Sequence, residues 1–272
     1  MDLFGLEPDD EATTIVPRTL IIVAHPDDEV IGAGARLPLI RDVTIAHVTD
    51  GAPRDMRDAR AHGFTEREAY AAARREELRA AVALAGIAPE RLEPLNVVDQ
   101  EASLALISLA RQIALMVRAL RPAFILTHPY EGGHPDHDAT AFAVHAARGL
   151  LAREGHDAPP VIEMPFYHAG ATGMTIGEFL PAAGHPIATI LLSPPERDLK
   201  CRMRDCFVTQ RRILEPFPMD PERFRWAPRY RFTAPPHAGA LLYERFHWGM
   251  TGARWRALAR EALDALGLEE PL

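Results

Sequence analysis

Short apolar runs alternate with longer stretches of mixed polarity through the first half of the chain. Leu20 to Ala24 (LIIVA), Val43 to Thr49 (VTIAHVT) and Ala123 to Thr127 (AFILT) are largely apolar. Half-exposed strands alternate, so these runs predict strands buried on both faces of a sheet. Leu92 to Val98 (LEPLNVV) reads as another strand, weakened by Pro94, which cannot donate to a sheet ladder. Between the runs the period changes. Leu78, Ala81, Val82 and Ala85 recur at helical spacing, as do Leu104, Ile107, Ala110, Ala114 and Val117. Thr65 and Glu68 have capping-box spacing at the start of the first helix, and Gly86 marks its end. Ser103 is placed to cap the second, and Arg121-Pro122 stops it. The order β-α-β-α-β-α-β predicts an α/β, Rossmann-like fold, a mostly parallel sheet with helices on both faces.

Beyond that point the pattern loosens. A helix is predicted to about Leu151, strands over Val161 to Phe166, Ala188 to Leu192 and Gly239 to Phe246 (GALLYERF), and a last amphipathic helix over Arg254 to Leu266. That last helix either caps the core or forms an oligomer contact. Pro195 to about Leu214 reads as a helix whose Lys200, Arg202, Arg204, Arg211 and Arg212 form a solvated charged face. Residues 52–64 are polar without helical periodicity and predict a loop. The acidic residues 1–17 predict a loose arm ahead of a single domain spanning 18–272. Gly32-Ala33-Gly34 begins like a dinucleotide loop, but Leu37 stands where the third glycine belongs. Those glycines instead predict close packing of a helix on the sheet.

Composition narrows the class. A net charge of −8 argues against broad nucleic-acid binding, which needs a basic surface. No apolar run reaches the ~18 residues of a membrane span, and the first residues lack a basic-then-apolar signal, so the expectation is a cytoplasmic protein. The 2 cysteines, Cys201 and Cys206, provide neither a disulfide framework nor a thiolate metal site. The 24 prolines concentrate after residue 158 and predict stiff connections there.

The chemistry lies just past two of the buried strands. Leu20 to Ala24 runs into His25-Pro26-Asp27-Asp28-Glu29, and Ala123 to Thr127 runs into a segment holding His128, Tyr130, Glu131, His134, Asp136, His137 and Asp138. Carboxyl ends of strands are where open α/β sheets bind ligands. His25 and Asp28 are zinc-ligand types. Asp27 between them is a spare carboxylate in the place of a general base. A third ligand from the second segment would complete a three-ligand catalytic site with a position open for water. His47, inside a strand, reads as a packed core histidine.

AHPDDE followed about a hundred residues later by HPDH resembles the LmbE-like or PIG-L family of zinc-dependent N-acetylglucosaminyl deacetylases. The resemblance is clear from about residue 18 to 145 and weaker to about 246. It implies His25, Asp28 and His137 as ligands of one Zn2+, with another divalent metal such as Fe2+ as an alternative. It implies Asp27 as the base that activates water, and His134, oriented by Asp136, as the group delivering a proton to the departing amine. An R-x-x-E-L pattern marks Arg74 as reaching the sugar, with Arg75 the competing choice, and Asp99 as binding sugar hydroxyls. Without the resemblance, Arg74 and Glu77 read as a surface ion pair. Some relatives carry a tyrosine where this chain has Gly132, and a histidine in the pattern that here reads Phe207-Val208-Thr209-Gln210. The implied partner is a small amino-sugar conjugate, and a homo-oligomer is compatible. The alternatives are a non-catalytic sugar-binding protein of the same fold, or an amidase or esterase acting on a non-sugar acyl group.

Overall fold

A computed structural model describes residues 4–6, 18–40, 42–171, 173–246 and 248–272. Strands β1 (Thr19–Val23), β2 (Val43–Thr49), β3 (Leu92–Val97), β4 (Phe124–Thr127) and β5 (Val161–Glu163) pair in parallel in the order β3-β2-β1-β4-β5. Strands β6 (Tyr167–Ala169) and β7 (Met174–Ile176) form a separate antiparallel ribbon. The main sheet then continues antiparallel from β5 through β9 (Glu222–Trp226) to β8 (Ala188–Ile190). The helices are α1 (Asp28–Ala33), α2 (Arg57–Ala61), α3 (Arg67–Ala83), α4 (Leu106–Leu120), α5 (Pro135–Arg153), α6 (Pro194–Asp205), α7 (Arg211–Leu214) and α8 (Gly252–Leu266). None of them is long and apolar enough to cross a membrane.

The unbroken apolar runs have a direct cause, because each strand feeds two cores. Leu20 and Ile22 of β1 pack with Ile113 and Val117 of α4, Phe142 of α5 and Trp255 of α8. Ile21 and Val23 face the other way, onto Val30 of α1, Leu78 and Val82 of α3, and Met203 of α6. Each buried side chain of this size contributes roughly 1.5–3 kcal/mol. Gly32 lets α1 lie flat on the second core, since a Cβ there would come within 2.4 Å of the Met164 sulfur. The parallel, two-faced sheet is therefore as the sequence predicts. Its topological switch point falls between β1 and β4, the two strands that precede the polar clusters.

Several local expectations are corrected. Residues 52–64 include the short helix α2. The capping box at Thr65 does not form: α3 starts two residues later with Glu66 at the N-cap and no side-chain cap bond. Arg74 and Glu77 do not pair; Glu77 accepts from the Thr209 amide and hydroxyl. Ser103 caps nothing, because a 3-10 turn over Ala102–Leu104 precedes α4, and Leu104 is exposed. The helix predicted over 195–214 breaks at Cys206 and Phe207, so that Thr209 reaches Glu77 and Gln210 reaches the Tyr70 hydroxyl. On it, Lys200 is not solvated; it is 1% exposed and donates to Glu222 of β9 at 2.9 Å. GALLYERF is not a strand. Leu242–Arg245 form a 3-10 turn, and Glu244 accepts from the Leu241 and Gly252 amides. Strand β9, absent from the sequence reading, fills the place between β5 and β8. Cys201 and Cys206 are free and part-buried. Most of the expected arm lies outside the described residues; within it, Phe4 is buried edge-on against Phe124 and Phe224.

Candidate active site

The chain leaves β1 through His25 and Pro26 and turns sharply at Asp27, whose φ of 137° and ψ of −27° are rare for an L side chain. Such a conformation costs on the order of 1–3 kcal/mol and persists only where surroundings enforce it. Three contacts do so. The Asp27 carbonyl accepts the Val30 and Ile31 amides that open α1, both at 3.0 Å. Its amide donates to Glu29 Oε2 at 3.2 Å. Its carboxylate accepts from Arg74 Nη2 at 3.0 Å. Asp28, in the first turn of α1, accepts the His25 amide at 2.8 Å.

The second loop leaves β4 at His128 and ends where α5 begins. His134 caps that helix, its Nδ1 accepting the Asp136 amide at 3.1 Å, so the neutral ring carries its proton on Nε2. Asp138 accepts the Glu131 and Gly132 amides and closes the loop on itself. The later chain braces it from outside. Leu242 N–H donates to the Gly132 carbonyl at 2.9 Å, Leu180 N–H to the Glu131 carboxylate at 2.7 Å, and the Trp255 indole to the Pro135 carbonyl at 3.1 Å. Gly132 has φ 69°, and a Cβ there would strike Leu241 at 2.7 Å, which is why no tyrosine occupies the position.

These loops bring His25 Nδ1 to 3.4 Å from Asp28 Oδ2 and 3.3 Å from His137 Nε2, with His137 Nε2 3.5 Å from Asp28 Oδ1. Tetrahedral zinc with bonds of about 2.0–2.1 Å needs ligand atoms about 3.3–3.4 Å apart. The three pairwise distances lie near that spacing, with His25 facing Oδ2 and His137 facing Oδ1 of Asp28. His128 clusters with Asp28 and His137 as well. Its Nε2 lone pair, however, accepts the Ala24 amide at 2.9 Å, and its ring stacks on His137 at 4.1 Å. That hydrogen bond ties it to the end of β1, where it packs beside Asp28 and His137. The far nitrogen of His25 lies 3.2 Å from Asp99 Oδ1 and 3.5 Å from Asp136 Oδ2, the arrangement by which a carboxylate orients a metal-bound histidine.

The electrostatics follow from burial and these contacts. Burial pushes the Asp27 carboxyl well above the usual range, with Arg74 opposing. Burial opposes ionisation of Asp28 too, yet His137 and His128 hold it well below the usual range. Asp99 is likewise penalised by burial, but His25 brings it down to about 2. Burial, then His25, lowers His134 to about 3.

Three expected roles change in position. Asp136 does not orient His134 through its carboxylate, which instead accepts the Gln100 and Ala102 amides at 2.6 and 3.0 Å and ties the loop after β3 to α5. Arg74 was expected to reach the sugar. It is 3% exposed, and its hydrogen bonds go to Asp27, the Pro26 carbonyl and the Gly51 carbonyl. Asp99 sits against His25, behind the ligands. Two neighbours had no signal in the motifs: Tyr167 packed 5.3 Å from His137, and Trp248 packed 4.5 Å from His134. Glu29 beneath Asp27 stands inside AHPDDE, but the sequence reading gave it no role.

Comparison with known proteins agrees with this picture. The profile of the family described as PIG-L, GlcNAc-PI de-N-acetylase, matches residues 20–148. A probable N-acetyl-α-D-glucosaminyl L-malate deacetylase 2 from Bacillus cereus is 29% identical over 158 residues, 57% of this chain and 67% of that protein. Among solved structures, the A40926 pseudoaglycone deacetylase superposes with a TM-score of 0.58 at 22% identity, over 78% of this chain and 97% of its own. The N,N'-diacetylchitobiose deacetylase of Pyrococcus horikoshii gives 0.54 at 20% identity, over 78% and 84%. At these identities the structural likeness is one of fold. Through residues 20–148, the stretch that holds both polar loops, the chain matches the PIG-L (LmbE-like) family.

Proposed function

We propose that this protein is a zinc-dependent N-deacetylase that removes the acetyl group from an N-acetylglucosaminyl conjugate. The observation that carries this reading is the convergence of His25 Nδ1, Asp28 and His137 Nε2 at tetrahedral spacing with the spare carboxylate of Asp27 beside them. Zn2+ held there supplies Lewis acidity, which polarises an acyl carbonyl and acidifies water. Asp27 accepts the proton of the attacking water, and Arg74 favours its charged form and aims it. His134, neutral with Nδ1 pinned by the Asp136 amide, donates a hydrogen bond from Nε2–H at the departing amine, and the proton that the amine takes up is the one Asp27 accepted from water. Asp136 holds the loop that carries Asp99, and Asp99 holds His25. The sugar class is supported by the names of the relatives, which act on N-acetylglucosaminyl malate and on N,N'-diacetylchitobiose.

Amine release from a panel of N-acetylglucosaminides, simple N-acetyl amines and acetyl-lysine peptides tests the reading. Release from sugar conjugates, more slowly from free N-acetylglucosamine, is expected. Preference for the acyclic amides would replace the sugar by another acyl substrate, and no release from zinc-loaded protein would remove the catalytic reading. His134→Ala should lose more rate on an N-acetyl sugar than on an aryl acetate, because the poor amine leaving group depends more on a hydrogen bond that helps it depart.

A further inference from the structure

We propose that Glu29 and His47 form a positioning pair that fixes the backbone of Asp27 and so aims the base; its kinetic consequence rests on the deacetylase reading above. Asp27 holds a backbone conformation that an L side chain rarely adopts, so its carboxylate points correctly only while the turn is held. The amide of that peptide has one acceptor, Glu29 Oε2, at 3.2 Å. Glu29 is fully buried, which is unusual for an acid in a first helical turn, where solvent is normally available. The same oxygen lies 3.0 Å from His47 Nε2, and no other side chain bonds the carboxylate among the described residues. His47 is itself 3% exposed and sits on β2 in register with Val23, the last residue of β1. A chain of contacts thus runs from the rigid centre of the sheet through His47 and Glu29 to the Asp27 amide. A histidine that only filled space would not set a ring nitrogen on a buried carboxylate, and a first-turn acid that only favoured the helix dipole would not be sealed beneath the turn.

The test compares His47→Leu and Glu29→Leu, which remove the hydrogen bonds, with His47→Gln, which keeps an N–H donor. Three quantities are read: kcat and KM on an N-acetylglucosaminyl conjugate, bound metal, and amide hydrogen exchange of the peptide covering residues 24–29. Misplacing a reacting group by about an ångström costs up to about 100-fold. The leucine variants should therefore lose about 10–100-fold in kcat, with KM within about twofold and metal content unchanged. His47→Gln should recover most of the rate. Exchange in the 24–29 peptide should speed up in the leucine variants and not in His47→Gln. Should a leucine variant lose its cooperative melt, His47→Asn, too short to reach Glu29, takes its place. Unchanged kcat in folded, metal-loaded leucine variants overturns the proposal, as does a glutamine variant that loses as much as leucine. If the wild-type protein releases no amine from any substrate, the deacetylase reading fails alone, and the exchange rates still decide whether the pair holds the turn.

Discussion

Arg74 Nη2 donates to Asp27 Oδ2 at 3.0 Å across 47 residues of sequence, with both side chains almost wholly enclosed. A buried carboxylate left alone takes up a proton; the guanidinium beside it favours the charged form that a base requires. The arginine that the motif resemblance sends to the sugar is, in the folded chain, the partner of Asp27, the proposed base.

Arg74→Ala should accordingly lower kcat by about 10–100-fold with KM little changed and metal retained, because an interaction acting on the base is felt in the rate. Steady-state kinetics with metal analysis decides the point. A raised KM at unchanged kcat would return Arg74 to the substrate.

Adjacent aspartates should behave differently. Asp27→Asn keeps the shape but cannot accept a proton, so activity should fall by about 10²–10⁴ with metal retained. Asp28→Asn removes an anionic ligand and should weaken metal binding itself. Elemental analysis beside rate measurements separates the two; equal metal loss in both would merge their roles.

Lys200 and Glu222 are each 1% exposed. Lys200→Met should cost about 3 kcal/mol, the lower end for breaking a buried pair, because Arg36 Nε stays 3.5 Å from Glu222. Adding Glu222→Gln keeps an acceptor for the Ala35 amide and removes the stranded charge. The double variant should therefore melt above the single one in thermal denaturation.

His145 lies 5.3 Å from the Tyr230 ring and 5.8 Å from Phe232, with neither ring nitrogen bonded. Burial, then Arg148, lowers it to about 3. Its unfolded form takes up a proton below about pH 6.5 while the folded form does not, so its contribution is complete above that pH and is lost as pH falls toward 3. Between pH 7 and pH 5 the loss is about 2 kcal/mol. His145→Leu should flatten the pH dependence of stability by that amount in denaturant titrations at the two pH values; an unchanged slope would mean that the buried ring protonates freely.

The sheet was legible because β1, β2 and β4 are buried on both faces, which forces continuous apolar runs. The convergence of His25, Asp28 and His137 was legible because they sit at a strand end or in the first turn of a helix, where motif spacing maps onto space. What escaped depended on contacts distant in sequence. Strand β9, ERFRW, alternates charge with aromatics because its arginine and glutamate are spent on Glu163 and Lys200, 62 and 22 residues away. Ser103 and Thr65 carry cap-like spacing, but the chain enters α4 through a 3-10 turn and α3 from Glu66. The position of Arg74 was readable and its direction was not, since that is set by the turn at Asp27 on another element.

The second polar loop is held by Leu242, Leu180 and Trp255, all from beyond residue 148. A fragment ending at 148 would thus keep His25, Asp28 and His137 and lose the brackets that hold the loop carrying His128, His134 and His137. Chimeras that exchange the C-terminal half between relatives would alter catalysis without touching a catalytic side chain.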